Sequence, residues 1–251
     1  MKIYRYIPFK YLRESLVTNK LYFNKVNKWE DPYENFFLKQ NIVDFSGKPI
    51  NIAESYPCYY GECWTTLEES DAMWRIYSVK QKELSHYSKS LDDVAFKIEV
   101  DSEIMRKEIN QSICELGYVI YDKEIKYTEQ DEIDYATQNA ENLNLRDIIR
   151  ISLFVKRKTF SHEQEYRIII EIPSIYKESR EESLFIPFNM SHINEFVADP
   201  RLPQDQFEQI KRELLKLGVK GDKIKKSKIY EQIKKQMIIV DKDGYIIKKD
   251  N

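Results

Sequence analysis

The stretch Glu163-Gln164-Glu165-Tyr166-Arg167, running straight into Ile168-Ile169-Ile170 and closed by Glu171-Ile172-Pro173, constrains this chain more than any other. An unbroken run of branched and aromatic side chains favours extended backbone, whose side chains alternate between two faces. Glu163, Glu165 and Arg167 therefore fall on one face, and Gln164, Tyr166 and Ile168 on the other. Two carboxylates two residues apart repel unless a cation sits between them or one holds a proton, and either arrangement moves a pKa as active sites do. Two readings stand at this point: a solvated strand face with an internal ion pair, ordinary on an antiparallel sheet, or a reactive carboxylate cluster.

The rest of the chain alternates between the two periodicities. Ile3 to Ile7, Leu21 to Phe23, Tyr59 to Thr66, Val94 to Val100, Tyr118 to Tyr127, Leu184 to Phe188 and Phe196-Val197 read as strands. Phe9, Leu12, Leu16 and Val17 recur at helical spacing behind Pro8. Ser70 or Asp71 caps a helix carrying Met73, Trp74 and Tyr77, and Asp101 caps one bearing Ile104, Ile109, Ile113 and Leu116 that Gly117 stops. Leu145 to Val155 and Gln204 to Leu217 read as further helices, the second stopped by Gly218, and Met237 to Val240 with Tyr245 to Ile247 as a hairpin. Residues 41–57 read as an irregular loop, and residues 128–144 show no readable period. Strands outnumber helices without regular βαβ alternation, which gives an α+β fold with a mostly antiparallel or mixed central sheet and flanking helices. We expect a single domain over residues 1–251, with the helix and hairpin of residues 204–251 as an appendage.

Composition excludes several function classes. A formal charge of −2 supplies no global field for nucleic acid or a membrane surface. Cys58, Cys63 and Cys114 have no C-x-x-C spacing, and His86, His162 and His192 are scattered, so no metal is expected. Free thiols, the lack of an apolar leader after Met1, and the lack of any run of about 18 apolar residues lead to the expectation of a cytoplasmic protein without a membrane span. Only six glycines are present, with no phosphate loop, dinucleotide fingerprint or Gly-x-Ser-x-Gly.

Several residues carry candidate chemistry. Arg5, between Tyr4 and Tyr6, offers a planar fork that would hold a phosphate by two bonds, or else pair a carboxylate such as Glu34. Glu30-Asp31-Pro32-Tyr33-Glu34 concentrates carboxylates around a turn; Asp31, Tyr33 and Glu34 remain further candidates, although no calcium-loop pattern accompanies them. Trp64, Thr65 and Thr66, followed by Trp74 and Tyr77, supply either the aromatic wall of a pocket for a planar ring or a helix-sheet core contact. Cys63 has no basic neighbour to make it a nucleophile. The lysine-rich stretch Lys220 to Lys228 is either a solvated surface run or a contact for nucleic-acid phosphates.

Tyr4-Arg5-Tyr6, Leu21-Tyr22-Phe23, Asp31-Pro32-Tyr33-Glu34, Trp64-Thr65-Thr66, Met73-Trp74-x-x-Tyr77 and Glu163-x-Glu165-Tyr166-Arg167, in this order, resemble an uncharacterised bacterial domain-of-unknown-function family. The resemblance extends through Ile186-Pro187-Phe188 and the helix after Asp199-Pro200. Glu30 stands where that family commonly has Asn, and Asp199-Pro200 replaces a Gly-Pro. More remotely, an Arg on the first strand, a hydroxyl on a middle strand and Glu-x-Glu opening a later one are similar to NAD-dependent ADP-ribosyltransferases. That similarity implies NAD as substrate, bound by Arg5, Tyr4, Trp64, Thr65, Thr66, Trp74, Tyr77 and Arg167. It implies Glu165 as the catalytic carboxylate and Glu163 as the second acidic position, associated with acceptor activation. The expectation is therefore an enzyme that transfers ADP-ribose to a macromolecular acceptor or hydrolyses NAD, in a toxin or phage-defence role. Two alternatives remain open: a catalytically silent nucleotide-sensing module, and a nucleic-acid-binding or nucleic-acid-modifying protein that uses Lys220 to Lys228.

Overall fold

Strand β1 (Lys2–Pro8) runs antiparallel to β4 (Ala95–Asp101) along its whole length, from Lys2 opposite Asp101 to Pro8 opposite Ala95. Pro8 fixes an extended φ and is followed at once by helix α1 (Phe9–Thr18), which Asn19 ends in the left-handed region at φ 52° before β2 (Lys20–Lys25) begins. The computed structural model describes residues 1–29, 31, 33–34, 36–50, 57–78, 91–129, 132, 144–176, 181–231 and 241–246.

Among the described residues, a nine-stranded sheet also contains β3 (Cys58–Thr65), β5 (Val119–Glu124), β8 (Glu165–Ile172), β9 (Ser183–Pro187), β10 (Glu195–Ala198) and β11 (Ile224–Lys226). Its main path is β11-β10-β4-β1-β3-β2-β9, with β8 and then β5 added on the far edge of β3. Every pairing in it is antiparallel except β10 with β11, and a separate parallel pair joins β6 (Lys126–Thr128) to β7 (Val155–Arg157). The fold is thus α+β with a mixed, mainly antiparallel sheet.

Among the described residues, four further α-helices flank it: α2 (Asp71–Tyr77), α3 (Ser102–Ile113), α4 (Leu145–Ser152) and α5 (Gln204–Lys216). The Ser70 hydroxyl accepts from the Met73 amide, and the Asp101 carboxylate accepts from the amides of Glu103 and Ile104, so both expected caps satisfy first-turn donors. Period-two alternation divides the sheet's side chains between two cores. On one face Ile3, Ile7, Phe96, Ile98, Ile168 and Ile170 pack with α1, α3 and α5 through Phe9, Leu12, Met105, Ile109, Phe207 and Ile210. On the other, Tyr59 and Ile169 meet Ile149 and Leu153 at α4, while Tyr6 and Ala95 meet Met73 and Trp74 of α2.

Three element boundaries differ from those expected of the sequence. The helix expected to reach Val155 stops at Ser152, because the Phe154 carbonyl accepts from the Lys126 amide and Val155 enters the β6–β7 pair. The strand expected from Tyr118 to Tyr127 is divided at Ile125, whose amide turns to donate to the Glu165 carbonyl. The third boundary is at Glu163, which lies in a 3-10 turn before β8, with Gln164 at φ 39° between them. Glu30, Pro32, Met237 to Val240, Ile247 and most of residues 128–144 lie outside the described residues.

Strand β3 changes partner along one of its edges. The edge it shares with β8 is paired without a break from Cys58 to Thr65. On the opposite edge Tyr60 and Gly61 pair with β2, while Thr65 pairs with Tyr4 of β1. Between those contacts, Glu62, Cys63 and Trp64 have no register partner on that edge among the described strands, and β1 and β2 diverge with α1 bridging their ends.

Candidate functional site

A cleft of about 710 Å³ opens where β1 and β2 part, lined by residues of both strands, by α1, and by Trp29, Gly61, Glu62, Cys63 and Tyr77. Because the sheet is divided here, side chains from both of its faces reach the same space. Arg5 pairs through Nη1 with Oε1 of Glu62, and the other Glu62 oxygen accepts from Trp64 Nε1 at 2.8 Å. Burial pushes the Glu62 carboxyl up, against the opposing pull of the Arg5 guanidinium and the Trp64 indole. The carboxylate partner of Arg5 is thus Glu62, and not Glu34 as the sequence suggested.

Behind the Cys63 wall lies a buried ionic cluster. Register places Cys63 opposite Arg167 and Thr65 opposite Glu165. Arg167 Nε donates to Glu165 Oε1 at 2.7 Å, its Nη2 pairs with Glu34, and its Nη1 donates to the Leu153 carbonyl at 2.7 Å. Lys156 Nζ stands 2.8 Å from Glu163, 3.2 Å from Glu165 and 3.3 Å from Glu34. Three carboxylates thus share two cations. Burial works to raise Glu165, yet Arg167 and Lys156 bring it down to about 2. Burial alone would lower Lys156 and Arg167, but the surrounding carboxylates carry both above their ordinary values. The solvated-face reading of this strand is therefore corrected: every residue of β8 is buried, and its charges are satisfied inside the protein.

Tyr77 connects the two regions. Its ring stacks on Tyr6 at 6.3 Å and lines the cleft, and its phenol is pushed up to about 12, first by burial and then by Cys63 and Glu163. Arg5 opposes that rise and Glu165 adds to it, so all four groups act on one hydroxyl. The Cys63 thiol is raised by burial and by the Glu165 carboxylate, the reverse of what a thiolate nucleophile needs.

The other sequence candidates divide between the cleft and its supports. Thr65 is fully buried, and its hydroxyl donates to the Glu163 carbonyl at 2.6 Å, holding the turn that delivers Glu163 and Glu165. The Thr66 amide donates to the Gln164 carbonyl at 2.9 Å and extends the same tie. Trp74 meets Tyr6 edge-on at 4.7 Å within the core, Trp64 is buried, and Tyr4 sits under Lys97 on the face away from Arg5. Asp31 is held by Arg157 through Nη2 at 2.9 Å, Tyr33 lies under that same guanidinium, and Glu34 joins the ionic cluster. Lys220 to Lys228 lies at the β11 edge of the sheet, with β10 and β4 between it and β1; Lys223 donates to the carbonyls of Ser191 and Ile193, and Lys225 pairs with Glu195.

Glu62, Lys156 and Trp29 do not stand out in the sequence. The signal for Glu62 is a Gly-Glu pair inside an otherwise apolar strand, and for Lys156 its place as the first of three consecutive cations, Lys156-Arg157-Lys158, directly after the apolar Leu153-Phe154-Val155. Trp29 carries no signal of its own, since its partners are 32 and 138 residues away in sequence.

Among the described residues, no group of three or more His, Cys, Asp or Glu is arranged to hold a metal ion, and no helix is long and apolar enough to cross a membrane. Among curated proteins, none matches the chain in sequence. Solved structures similar to it include Thermus sp. 2.9 DarT in complex with NAD+, at 11% identity and TM-score 0.35, covering 90% of this chain and 95% of that one. The same protein in complex with ADP-ribosylated ssDNA matches at 11% identity and TM-score 0.36, covering 90% and 94%. Residues 73–168, bounded by the Met73-Trp74 and Tyr166-Arg167 motifs, match the model of a family described as a protein of unknown function (DUF2971).

Proposed function

We propose that the chain is an enzyme of the ADP-ribosyltransferase type, binding NAD in the cleft between β1 and β2 and transferring ADP-ribose to an acceptor or to water. The observation that carries this reading is the cleft itself: a guanidinium, a buried carboxylate and aromatic rings lining one space of about 710 Å³. Arg5 meets the pyrophosphate with a two-pronged donor, exchanging Glu62 for the ligand. Trp29 and Tyr77 flank the nicotinamide and exclude water.

The bond from the ribose C1′ to the nicotinamide nitrogen breaks with its electron pair leaving on nicotinamide, and the acceptor oxygen or nitrogen bonds to C1′ as it loses its proton. Positive charge develops on the ribose during this step, so a fixed carboxylate nearby lowers the barrier. Glu165, held ionised by its cations, supplies that charge behind Cys63, and Glu163 at the edge of the cluster takes the acceptor's proton.

A second reading is supported by one specific observation: Glu165 is 4% exposed and both its oxygens are engaged by Arg167 and Lys156, as in a scaffold for a silent nucleotide-binding cleft. Nicotinamide release from NAD, measured with Arg5→Ala and Glu165→Gln beside the native protein and with folding followed by circular dichroism, separates the two. Release that disappears in folded variants supports the transferase. Calorimetric binding of NAD without release favours the silent module, and neither binding nor release removes both.

A further inference from the structure

On the far edge of the sheet, two strands beyond the cleft wall, a separate recess of about 200 Å³ straddles β5. It draws Arg106 from α3, Lys123 from β5 and Arg150 from α4, so three cations from three elements converge on one small space. Two of them are held in place: Lys123 Nζ lies 4.6 Å from the Phe154 ring centroid, and the Arg150 guanidinium lies 5.0 Å from that of Tyr121 while its Nη2 pairs with Asp147 at 2.6 Å, leaving its other donors for the recess. Cations fixed this way lose less freedom on meeting an anion than free surface lysines do.

The recess also contains an unsatisfied acceptor. Asp122 has 6% of its side chain exposed; its Oδ2 accepts from the Tyr166 hydroxyl at 2.5 Å, but its Oδ1 accepts no hydrogen bond among the described residues. Arg106 Nε stands 3.2 Å from that oxygen, close enough to neutralise it without hydrogen-bonding it. A buried carboxylate oxygen without a hydrogen-bond donor is costly, and because this one is shielded from solvent beside Arg106, a ligand's donor reaches it by taking the place of that guanidinium. We propose that this recess is a second ligand site, taking the phosphate of a nucleotide on Lys123 and Arg150 together with a hydrogen-bond donor of its base or sugar on Asp122. The nucleotide is either free or a unit of a single strand, since both present the same phosphate and donors.

The site does not depend on the NAD reading of the cleft, and its test is a binding measurement that requires no turnover. Adenosine and guanosine monophosphate, inorganic phosphate and a short oligothymidylate are titrated into the native protein by calorimetry. The same titrations are made with the Lys123→Gln/Arg150→Gln double variant, with Asp122→Asn, and with Arg5→Ala, which disables the cleft. The expected result is saturable nucleotide binding at least tenfold tighter than that of inorganic phosphate. The double variant weakens it at least tenfold, Asp122→Asn weakens nucleotide more than phosphate, and saturable binding that the double variant abolishes persists in Arg5→Ala. Tighter binding of the oligonucleotide with a steep salt dependence assigns a strand as the source, and equal affinity assigns the free nucleotide. Binding unaltered by the double variant, binding lost with Arg5→Ala, or no saturable binding of any probe overturns the proposal.

Discussion

Trp29 lies across the guanidinium of Arg167, with 4.2 Å between the guanidinium carbon and the ring centroid, and the ring is backed by the bare α-carbon of Gly61. A side chain at Gly61 would bring its β-carbon within 2.5 Å of the ring carbon Cζ2 and 3.0 Å of Ile169 Cδ1. This glycine is therefore required for close approach and not for backbone conformation, since its φ is not in the left-handed region. Gly61→Ala should push Trp29 off Arg167 and cost about 1–3 kcal/mol of stability by overpacking. Thermal denaturation measures the cost, and a red shift in tryptophan emission reports the displaced ring; unchanged emission would mean that the cavity wall yields elsewhere.

The depressed carboxyl of Glu165 sets an acid limit on stability. A group whose folded pKa is about 2 binds fewer protons in the native state than in the unfolded chain, where a glutamate titrates near ~4.3. Its contribution is therefore fully present above the unfolded value and is lost as pH falls from about 5 toward 2. At roughly 1.4 kcal/mol per unit, the loss is about 3 kcal/mol. Urea unfolding followed across this range should show it in the native protein and a much flatter profile in Glu165→Gln, whose neutral amide has nothing to titrate. A Glu165→Gln profile as steep as the native one would place the acid sensitivity on other carboxylates.

Much of this organisation is legible in the residue order. Period-two and helical spacing locate β1, α1, β3, β4 and β8, and Ser70 and Asp101 announce the helices they cap, because these features depend on neighbours a few residues away. The cluster of Glu163, Glu165 and Arg167 is visible for the same reason. Its counter-ions are less so: Glu34 reaches Arg167 across 133 residues, and only the folded sheet brings them together. The cleft is less visible still. It exists because β3 changes partner from β2 to β1 around Glu62, and strand pairing of that kind leaves no local pattern. The end of α4 at Ser152 is hidden too, because apolar spacing continues through Leu153 and Phe154 although the backbone has already turned toward β6.

Thr65 is a supporting hydroxyl whose role can be separated from its bulk. Itself fully buried, it donates to the Glu163 carbonyl at 2.6 Å and accepts from the Leu67 amide at 3.1 Å. Thr65→Val preserves shape and removes both bonds, which should cost about 1–3 kcal/mol and loosen the turn carrying Glu163. Thr65→Ser keeps the bonds and loses only a methyl group, at about 1 kcal/mol. If denaturation ranks Ser below Val, packing and not hydrogen bonding is what this residue contributes.

The Arg5–Glu62 pair gives the most direct view of the cleft, because Glu62 is buried where, among the described residues, only Arg5, itself partly exposed to the cleft, neutralises it. Glu62 is fully enclosed, with Trp64 holding one oxygen and Arg5 the other. Arg5→Ala strands that carboxylate and should cost about 3 kcal/mol, as removing one partner of a buried pair does. Adding Glu62→Gln removes the stranded charge and should recover a large part of the loss, giving a coupling of about 1–3 kcal/mol in a double-mutant cycle. Ligand binding should not recover in parallel. A ligand phosphate needs the guanidinium itself, so on the proposed NAD-binding reading of the cleft the double variant regains stability while NAD affinity stays at least tenfold weaker, and that divergence would distinguish a ligand-binding arginine from one whose only task is to neutralise Glu62. Recovery of both together would assign Arg5 the structural role alone.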